Sequence, residues 1–197
     1  MLESTYQIFA QDGNGLNYAA SGFIIGEDEN HVYLATAGHP FFNYDSRHDR
    51  GMAIQGFSRP FKPNPDSDLT VARYIYDRNQ DVAVLQLRKG QAPTPKPLPL
   101  DPNFSPKWEG TQAMLVAYPY DLTTANHHFP QVEPITIVQP HLGDLSYPGR
   151  LTALGKSGRG ASGGLQITPI SHAIELMERL KTTNLPTSPQ TAPLIRK

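Results

Sequence analysis

Three polar residues of this chain have side chains that together can do nucleophilic chemistry. His39 ends an apolar run, Asp81 opens another, and Ser162 lies in a glycine-rich segment. A serine hydroxyl is a weak nucleophile until a histidine takes its proton, and a carboxylate can hold that histidine in the required tautomer. The three residues therefore predict acyl-transfer chemistry, provided that the fold brings them together.

Each of these residues also has a simpler interpretation when it is taken alone. A single histidine after a strand is usually structural, and Asp68 and Asp77 compete with Asp81 for the carboxylate role. Asp81 is favoured because it stands immediately before the apolar run 82–87. The glycine-rich run 155–164 alone would indicate only a loop, and it lacks the Gly-x4-Gly-Lys-Ser/Thr spacing of a phosphate-binding loop.

The sequence predicts neither a metal site nor a cofactor. His127 and His128 are adjacent, so on a strand their side chains would point to opposite faces, and no further ligand stands at suitable spacing. There is no cysteine, which excludes disulfides and thiolate metal sites. The net charge of −1 gives no electrostatic reason to expect nucleic acid or an anionic membrane as a partner.

The elements that must position these residues are short β-strands. Runs of four to nine residues rich in strand-forming residues, bounded by polar or Gly/Pro clusters, are typical of strands. We predict strands at 4–10, 20–26, 31–37, 52–57, 69–76 and 81–87, and then at 112–118, 132–139 and 146–154. Apolar residues at helical spacing after residue 169 predict one helix, with Ser171 as its N-cap.

The strand pattern divides into two halves. Residues 1–88 are expected to form a first β-barrel subdomain, 89–102 a proline-rich linker, and 103–168 a second β-barrel subdomain. Residues 169–181 are expected to form the C-terminal helix and 182–197 a disordered tail. No run of basic residues followed by an apolar stretch stands at the N-terminus, so we expect no signal peptide and a cytoplasmic location.

Five short motifs, in order along the chain, resemble those of the trypsin-like (chymotrypsin-fold) serine peptidases. Residues 20–25 (ASGFII) resemble the family's GSGFII, and 34–39 (LATAGH) its LTAAH. Residues 81–85 (DVAVL) resemble DLAVL, 116–119 (VAYP) the GYP of the second barrel, and 160–164 (GASGG) GNSGG. Each motif alone is weak, but the ordered set is specific. The start of the C-terminal helix resembles that of the bacterial Deg-type branch.

The resemblance implies an all-β fold of two six-stranded antiparallel barrels followed by a C-terminal helix. It assigns Ser162 as nucleophile, His39 as general acid and base, and Asp81 as the residue that orients His39. It also assigns the backbone amides of Gly160 and Ser162 to the oxyanion hole. The implied reaction is peptide-bond cleavage on a polypeptide substrate, with no metal or cofactor.

The chain departs from the family after Gly164. Residues 165–170 run straight into the helix, so about 20 to 30 residues that would close the second barrel and line the pocket for the P1 side chain are absent by analogy with family barrels. We expect the second barrel to be incomplete, with an open edge next to residues 163–167 that the helix covers only in part, through Ile170, Ile174, Met177 and Leu180. That edge could pair with a second copy or another partner. Two functions therefore stay open: a serine endopeptidase, or a non-catalytic interaction module on a degenerate scaffold.

Overall fold

A computed structural model describes ten segments of the chain. They are residues 4–11, 17–38, 52–56, 69–90, 96–101, 110–117, 131–138, 151–154, 165–167 and 170–183. Together they contain two antiparallel sheets and one C-terminal helix. This is the all-β architecture with a terminal helix that the sequence predicts.

The first sheet contains six antiparallel strands in the order β4-β1-β2-β3-β6-β5. The strands are β1 (Thr5–Gln11), β2 (Asn17–Glu27), β3 (His31–Ala37), β4 (Met52–Gly56), β5 (Leu69–Asp77) and β6 (Val82–Lys89). All six correspond to predicted strands. Cα atoms of the edge strands β4 and β5 come within 8 Å of each other, although no ladder joins these two strands in the described part of the chain. The sheet is therefore curled towards a barrel without closing.

Strands β3 and β6, neighbours in the interior of this sheet, are buried on both faces. Every residue from Val32 to Thr36 and from Val82 to Leu87 is buried. On one face Leu34, Leu85 and their neighbours pack inside the curled sheet with Tyr6, Ile8 and Ile24. The opposite face is also covered, which explains why both strands are almost continuously apolar instead of alternating between polar and apolar residues.

The helix α1 (Ile170–Thr182) covers the outer face of β3, β5 and β6. Its buried residues, Ala173, Leu176, Met177 and Leu180, form one apolar cluster with residues of the first sheet that include Tyr33, Ala35, Val82 and Val84.

Two sequence-based expectations about this helix are wrong. We expected it to lie on the edge of the second barrel through Ile170, Ile174, Met177 and Leu180, but it packs on β5 and β6 of the first sheet, and Ile174 is only half-buried. Helical periodicity identifies an apolar face but not the sheet that receives it. Ser171 is not the N-cap either, because the helix already begins at Ile170.

The second sheet contains four antiparallel strands among the described residues, in the order β10-β9-β8-β7. They are β7 (Gln112–Ala117), β8 (Gln131–Val138), β9 (Leu151–Leu154) and β10 (Leu165–Ile167). Strand β10 was not expected, because three residues between a glycine-rich run and a helix give little sequence signal. The shortening of the second barrel relative to the family stays a prediction.

The predicted linker has a described segment, residues 96–101, that lies against the first sheet. The amide of Leu98 donates a hydrogen bond to the carbonyl of Ile24 (3.0 Å), and the Ser4 hydroxyl donates to the carbonyl of Lys96 (2.8 Å). Leu100 packs against the same apolar cluster as α1. The chain is thus attached to the first sheet before it enters the second.

Candidate active site

The turn between β5 and β6 fixes the position of the first candidate residue. The Asp77 carboxylate accepts hydrogen bonds from the backbone amides of Asn79 (2.7 Å) and Gln80 (3.2 Å), which closes a tight turn. Asp77 pairs with Val82 across the hairpin, so residues 78–81 form the loop. Asp77, a competitor of Asp81 in the sequence, is therefore occupied in forming this turn.

Asp81 ends the turn in a left-handed backbone conformation, with φ of 50°. Among the non-glycine residues that the structure describes, it is the one with positive φ. Aspartate tolerates this region better than most residues, but the conformation still costs about 1–3 kcal/mol.

The Asp81 side chain reaches the end of β3. Its Oδ1 accepts a hydrogen bond from the backbone amide of Gly38 (3.1 Å), and the Asp81 carbonyl accepts from the same amide (3.0 Å). Strand register explains this contact, since Ala37 pairs with Val82 and the next residues on each strand must meet. Gly38 immediately precedes His39, so the structure brings the Asp81 carboxylate to the residue next to the proposed base.

The other candidate residues, His39, Gly160 and Ser162, lie outside the described residues. Their neighbours along the chain are described. His39 follows Gly38 directly, at the end of β3, and Ser162 stands three residues before β10. Consecutive Cα atoms are about 3.8 Å apart. The first sheet thus positions Asp81, and the chain segment that contains Ser162 leads into the second sheet.

Sequence reasoning missed the Gly38 amide as a partner of Asp81. A signal was available, because Gly38 and Asp81 are the residues just beyond two apolar runs that could be paired as neighbouring strands. Pairing those runs in antiparallel register would have placed the two residues opposite each other.

A second polar cluster, also missed, joins the β2–β3 turn to the sheet. The Asp28 carboxylate accepts hydrogen bonds from the Tyr33 hydroxyl (2.6 Å) and from the backbone amides of Asn30 (2.9 Å) and His31 (2.8 Å). Burial opposes ionisation of Asp28, but these hydrogen bonds outweigh it and lower its pKa from 3.8 to about 2. Burial and then donation to Asp28 raise the pKa of Tyr33 from 10.0 to about 12.

The described part of the chain contains no group of three or more metal-ligating side chains. Nor does any helix in those segments have the length and hydropathy needed to cross a membrane.

No protein-family model and no curated protein matches the chain. Solved structures do match. GrC superimposes with a TM-score of 0.64 at 14% identity, over 92% of this chain and 95% of that one. The serine endoprotease of Yersinia pestis gives a TM-score of 0.57 at 17% identity, over 91% of this chain and 63% of that one. The active form of the Rv3671c protease of M. tuberculosis gives 0.51 at 20% identity, over 86% and 67%.

The fold is chymotrypsin-like. Identities of this size establish the arrangement of the strands and not the chemistry, because one fold can carry unrelated functions. The chain therefore shares its arrangement of strands with these proteins.

Proposed function

We propose that the protein is a serine endopeptidase that cleaves peptide bonds through an acyl-enzyme. The observation that carries this proposal is the hydrogen bond from the Gly38 amide to the Asp81 carboxylate. It places a carboxylate beside the residue that precedes His39, on a scaffold shared with serine proteases.

In this proposal Asp81 orients His39. A carboxylate offers about four lone-pair positions, so acceptance of the Gly38 amide leaves capacity for the Nδ1–H of an imidazole. That contact would hold the tautomer in which Nε2 accepts a proton, and it would stabilise the imidazolium once formed. The turn built by Asp77 and the left-handed backbone of Asp81 fix the carboxylate before substrate binds.

The chemical steps follow from these roles. The Ser162 Oγ attacks the scissile carbonyl carbon while His39 Nε2 removes its proton, and the backbone amides of Gly160 and Ser162 hold the resulting oxyanion. His39 then gives that proton to the leaving amine as the C–N bond breaks, which leaves an acyl ester on Ser162. Water, deprotonated by His39, attacks the ester, and His39 gives that proton to the Ser162 Oγ as the C–O bond breaks, which releases the carboxylate product and free Ser162.

Covalent labelling with a fluorophosphonate probe tests the proposal, since such probes react with activated serines. We expect the wild-type chain to be labelled at Ser162, and Ser162→Ala and His39→Ala to abolish labelling. Ser157→Ala is the matched control, because it removes a serine from the same glycine-rich segment and should label normally. A folded wild-type chain that resists labelling would overturn the assignment.

The second candidate is an interaction module that has lost catalysis. A specific observation favours it: Met114 and Val132 are 54% and 47% exposed and lie on the same face of the β7–β8 ladder, as their register shows. Strand β10, at one edge of the described second sheet, is the position at which we expected a second copy or another partner. An unlabelled chain that self-associates, and loses this association in Met114→Lys, would favour the second candidate.

A further inference from the structure

The helix α1 is fitted closely to the first sheet. A Cβ atom added to Gly26 would lie 2.6 Å from the Met177 Sδ, so the helix sits where β2 has no side chain. Gly26 and Tyr33 pair at a bulge between β2 and β3. Close packing therefore fixes the position of the helix on the sheet, beyond the burial of an apolar face.

Arg73 of β5 holds the C-terminal end of this helix. Its Nη1 donates to the Thr183 carbonyl (2.6 Å) and its Nη2 to the Leu180 carbonyl (2.9 Å). Carbonyls in the last turn have no partner within the helix and carry the negative end of its dipole, so a guanidinium there satisfies both the hydrogen bonds and the charge.

Arg73 is itself held by a row of polar residues across three strands. Its Nε donates to the Gln86 Oε1 (2.7 Å), and the Gln86 Nε2 donates to the Tyr33 hydroxyl (3.2 Å), which donates to Asp28. Arg73 pairs with Gln86, and Gln86 with Tyr33, in the sheet register. Gln86 is only 4% exposed, so this row is part of the packed interior.

The position of α1 in the chain gives this contact a wider consequence. The helix begins three residues after β10 ends, and β10 begins three residues after Ser162. The helix also shares an apolar cluster with Ala35 and Val82. Ala35 stands three residues before Gly38 in the chain, and Val82 directly follows Asp81. The helix thus connects the strand that follows the proposed nucleophile to the strands that carry the rest of the proposed triad.

We infer that Arg73 is a positioning residue for the proposed reaction. By locking the last turn of α1 onto β5 and β6, it holds the helix that follows β10 in the chain, and through that helix the second sheet, relative to Asp81. The inference rests on the proposed function for its effect on catalysis, but the distance between the two sheets can be measured without activity.

The test compares Arg73→Met with Arg73→Lys and with the control Arg88→Met. Lysine keeps the charge and the apolar stem, but its donors lie on one nitrogen instead of a planar fork. Arg88 is an exposed arginine on the adjacent strand. Because the chain contains no cysteine, spin labels can be placed at Glu29→Cys in the β2–β3 turn of the first sheet and at Thr111→Cys beside the second sheet, both at exposed positions. The distribution of distances between the labels then reports how firmly the sheets are held together.

We expect hydrogen exchange in the last turns of α1 to be about 10-fold or more faster in Arg73→Met, because hydrogen bonds to a charged group are lost. The label distances should broaden, and the rate of fluorophosphonate labelling should fall about 10- to 100-fold through misplacement of the reacting groups. Probe affinity, measured from the concentration dependence, should change little. Arg73→Lys should show the same changes to a smaller extent, and Arg88→Met should match the wild type.

Faster exchange in α1 with unchanged label distances and unchanged labelling would overturn the inference, since Arg73 would then only prevent fraying of the helix. If Arg73→Met does not fold, Arg73→Lys carries the same comparison. A wild-type chain that is never labelled defeats the proposed function, while the distances and the exchange rates still decide whether Arg73 fixes the two sheets.

Discussion

At the scale of single residues, position and not side-chain type separates Asp81 from its neighbours. Asp77, four residues earlier, is also a carboxylate at a strand end, but it closes the turn with its own backbone neighbours. Asp81 has a left-handed backbone and directs its carboxylate to the next strand. Asp77 closes the loop, and Asp81, at the end of that loop, contacts the end of β3.

Asp81→Asn should reduce the rate of peptide hydrolysis severely, by about 10⁴-fold if it acts as the orienting residue of a Ser-His-Asp triad. Asparagine tolerates the left-handed backbone and its Oδ1 can still accept the Gly38 amide, so the fold should survive. Circular dichroism would check the fold and steady-state kinetics the rate. Asp77→Asn is the matched control and should remain active, and full activity in Asp81→Asn would refute the role given to it.

Stability should depend on pH through the Tyr33–Asp28 hydrogen bond. The pKa of Asp28 is lowered to about 2, so its contribution is complete above pH 3.8 and is lost as the pH falls towards 2. The pKa of Tyr33 is raised to about 12, so its contribution is complete below pH 10 and is lost as the pH rises towards 12.

Tyr33→Phe should therefore remove the part of the alkaline loss of stability that Tyr33 causes, and it should reduce the acid loss because Asp28 then lacks one of its donors. Urea unfolding at pH values from about 2 to about 12 would measure the loss in the free energy of unfolding at the acid and at the alkaline end. Glu29→Gln, a change of an exposed carboxylate in the same turn, should leave both as in the wild type. An unchanged alkaline limit in Tyr33→Phe would show that another group causes it.

At the scale of elements, strand positions could be predicted from the sequence and helix docking could not. Strands β3 and β6 carry continuous apolar runs between polar turns, and both were placed to within two residues. Strand β10 is only three residues long, so no period can be recognised in it. The partners of α1 depend on the outer face of β3 and β6, and only the pairing of distant strands creates that face.

The same distinction holds for the candidate site. His39, Asp81 and Ser162 could be selected by type and order, whereas the Gly38 contact required the β3–β6 register, and Arg73 required the position of the helix. A contact to a backbone group does not restrict the type of residue that supplies that group. They were therefore not accessible to reasoning from motifs.

Leu176→Ala should lower the free energy of unfolding by about 2–5 kcal/mol, as expected for a buried leucine that leaves a cavity. Leu176 is 3% exposed, within the cluster formed by α1 and the first sheet. Ile174→Ala is the matched control on the same helix and should cost less, since Ile174 is half-buried. A larger cost at Ile174 than at Leu176 would mean that the helix presents its other face.

Gly22→Ala should be more destabilising than Gly26→Ala. A Cβ at Gly22 would lie 2.3 Å from the Leu34 Cδ2 and 2.9 Å from the Ala35 carbonyl oxygen, and backbone cannot move aside cheaply. At Gly26 the obstacle is the flexible end of Met177. Overpacking in a core costs about 1–3 kcal/mol. Thermal unfolding of both variants gives the comparison, and equal costs would contradict it.

At the scale of the whole molecule, the two sheets differ in how they are covered. The first has a packed interior on one face and α1 on the other, whereas the β7–β8 ladder of the second leaves Met114 and Val132 exposed. Burial on two faces gives a strand more apolar contact per residue than burial on one. The helix therefore stabilises the half that is already better packed, although it follows the other half in the chain.

Hydrogen exchange should show this asymmetry. Amides of β3 and β6 should open only with global unfolding, because both strands lie between two apolar clusters. Amides of β7 and β8 should exchange faster, through local opening of a sheet with an exposed face. Exchange followed by mass spectrometry under native conditions would measure the amides of both sheets in one sample. Leu176→Ala should reduce the difference in exchange rate between the two sheets, because it weakens the first sheet alone. Equal protection of the two sheets in the wild type would mean that the second sheet has a cover which its described strands do not show.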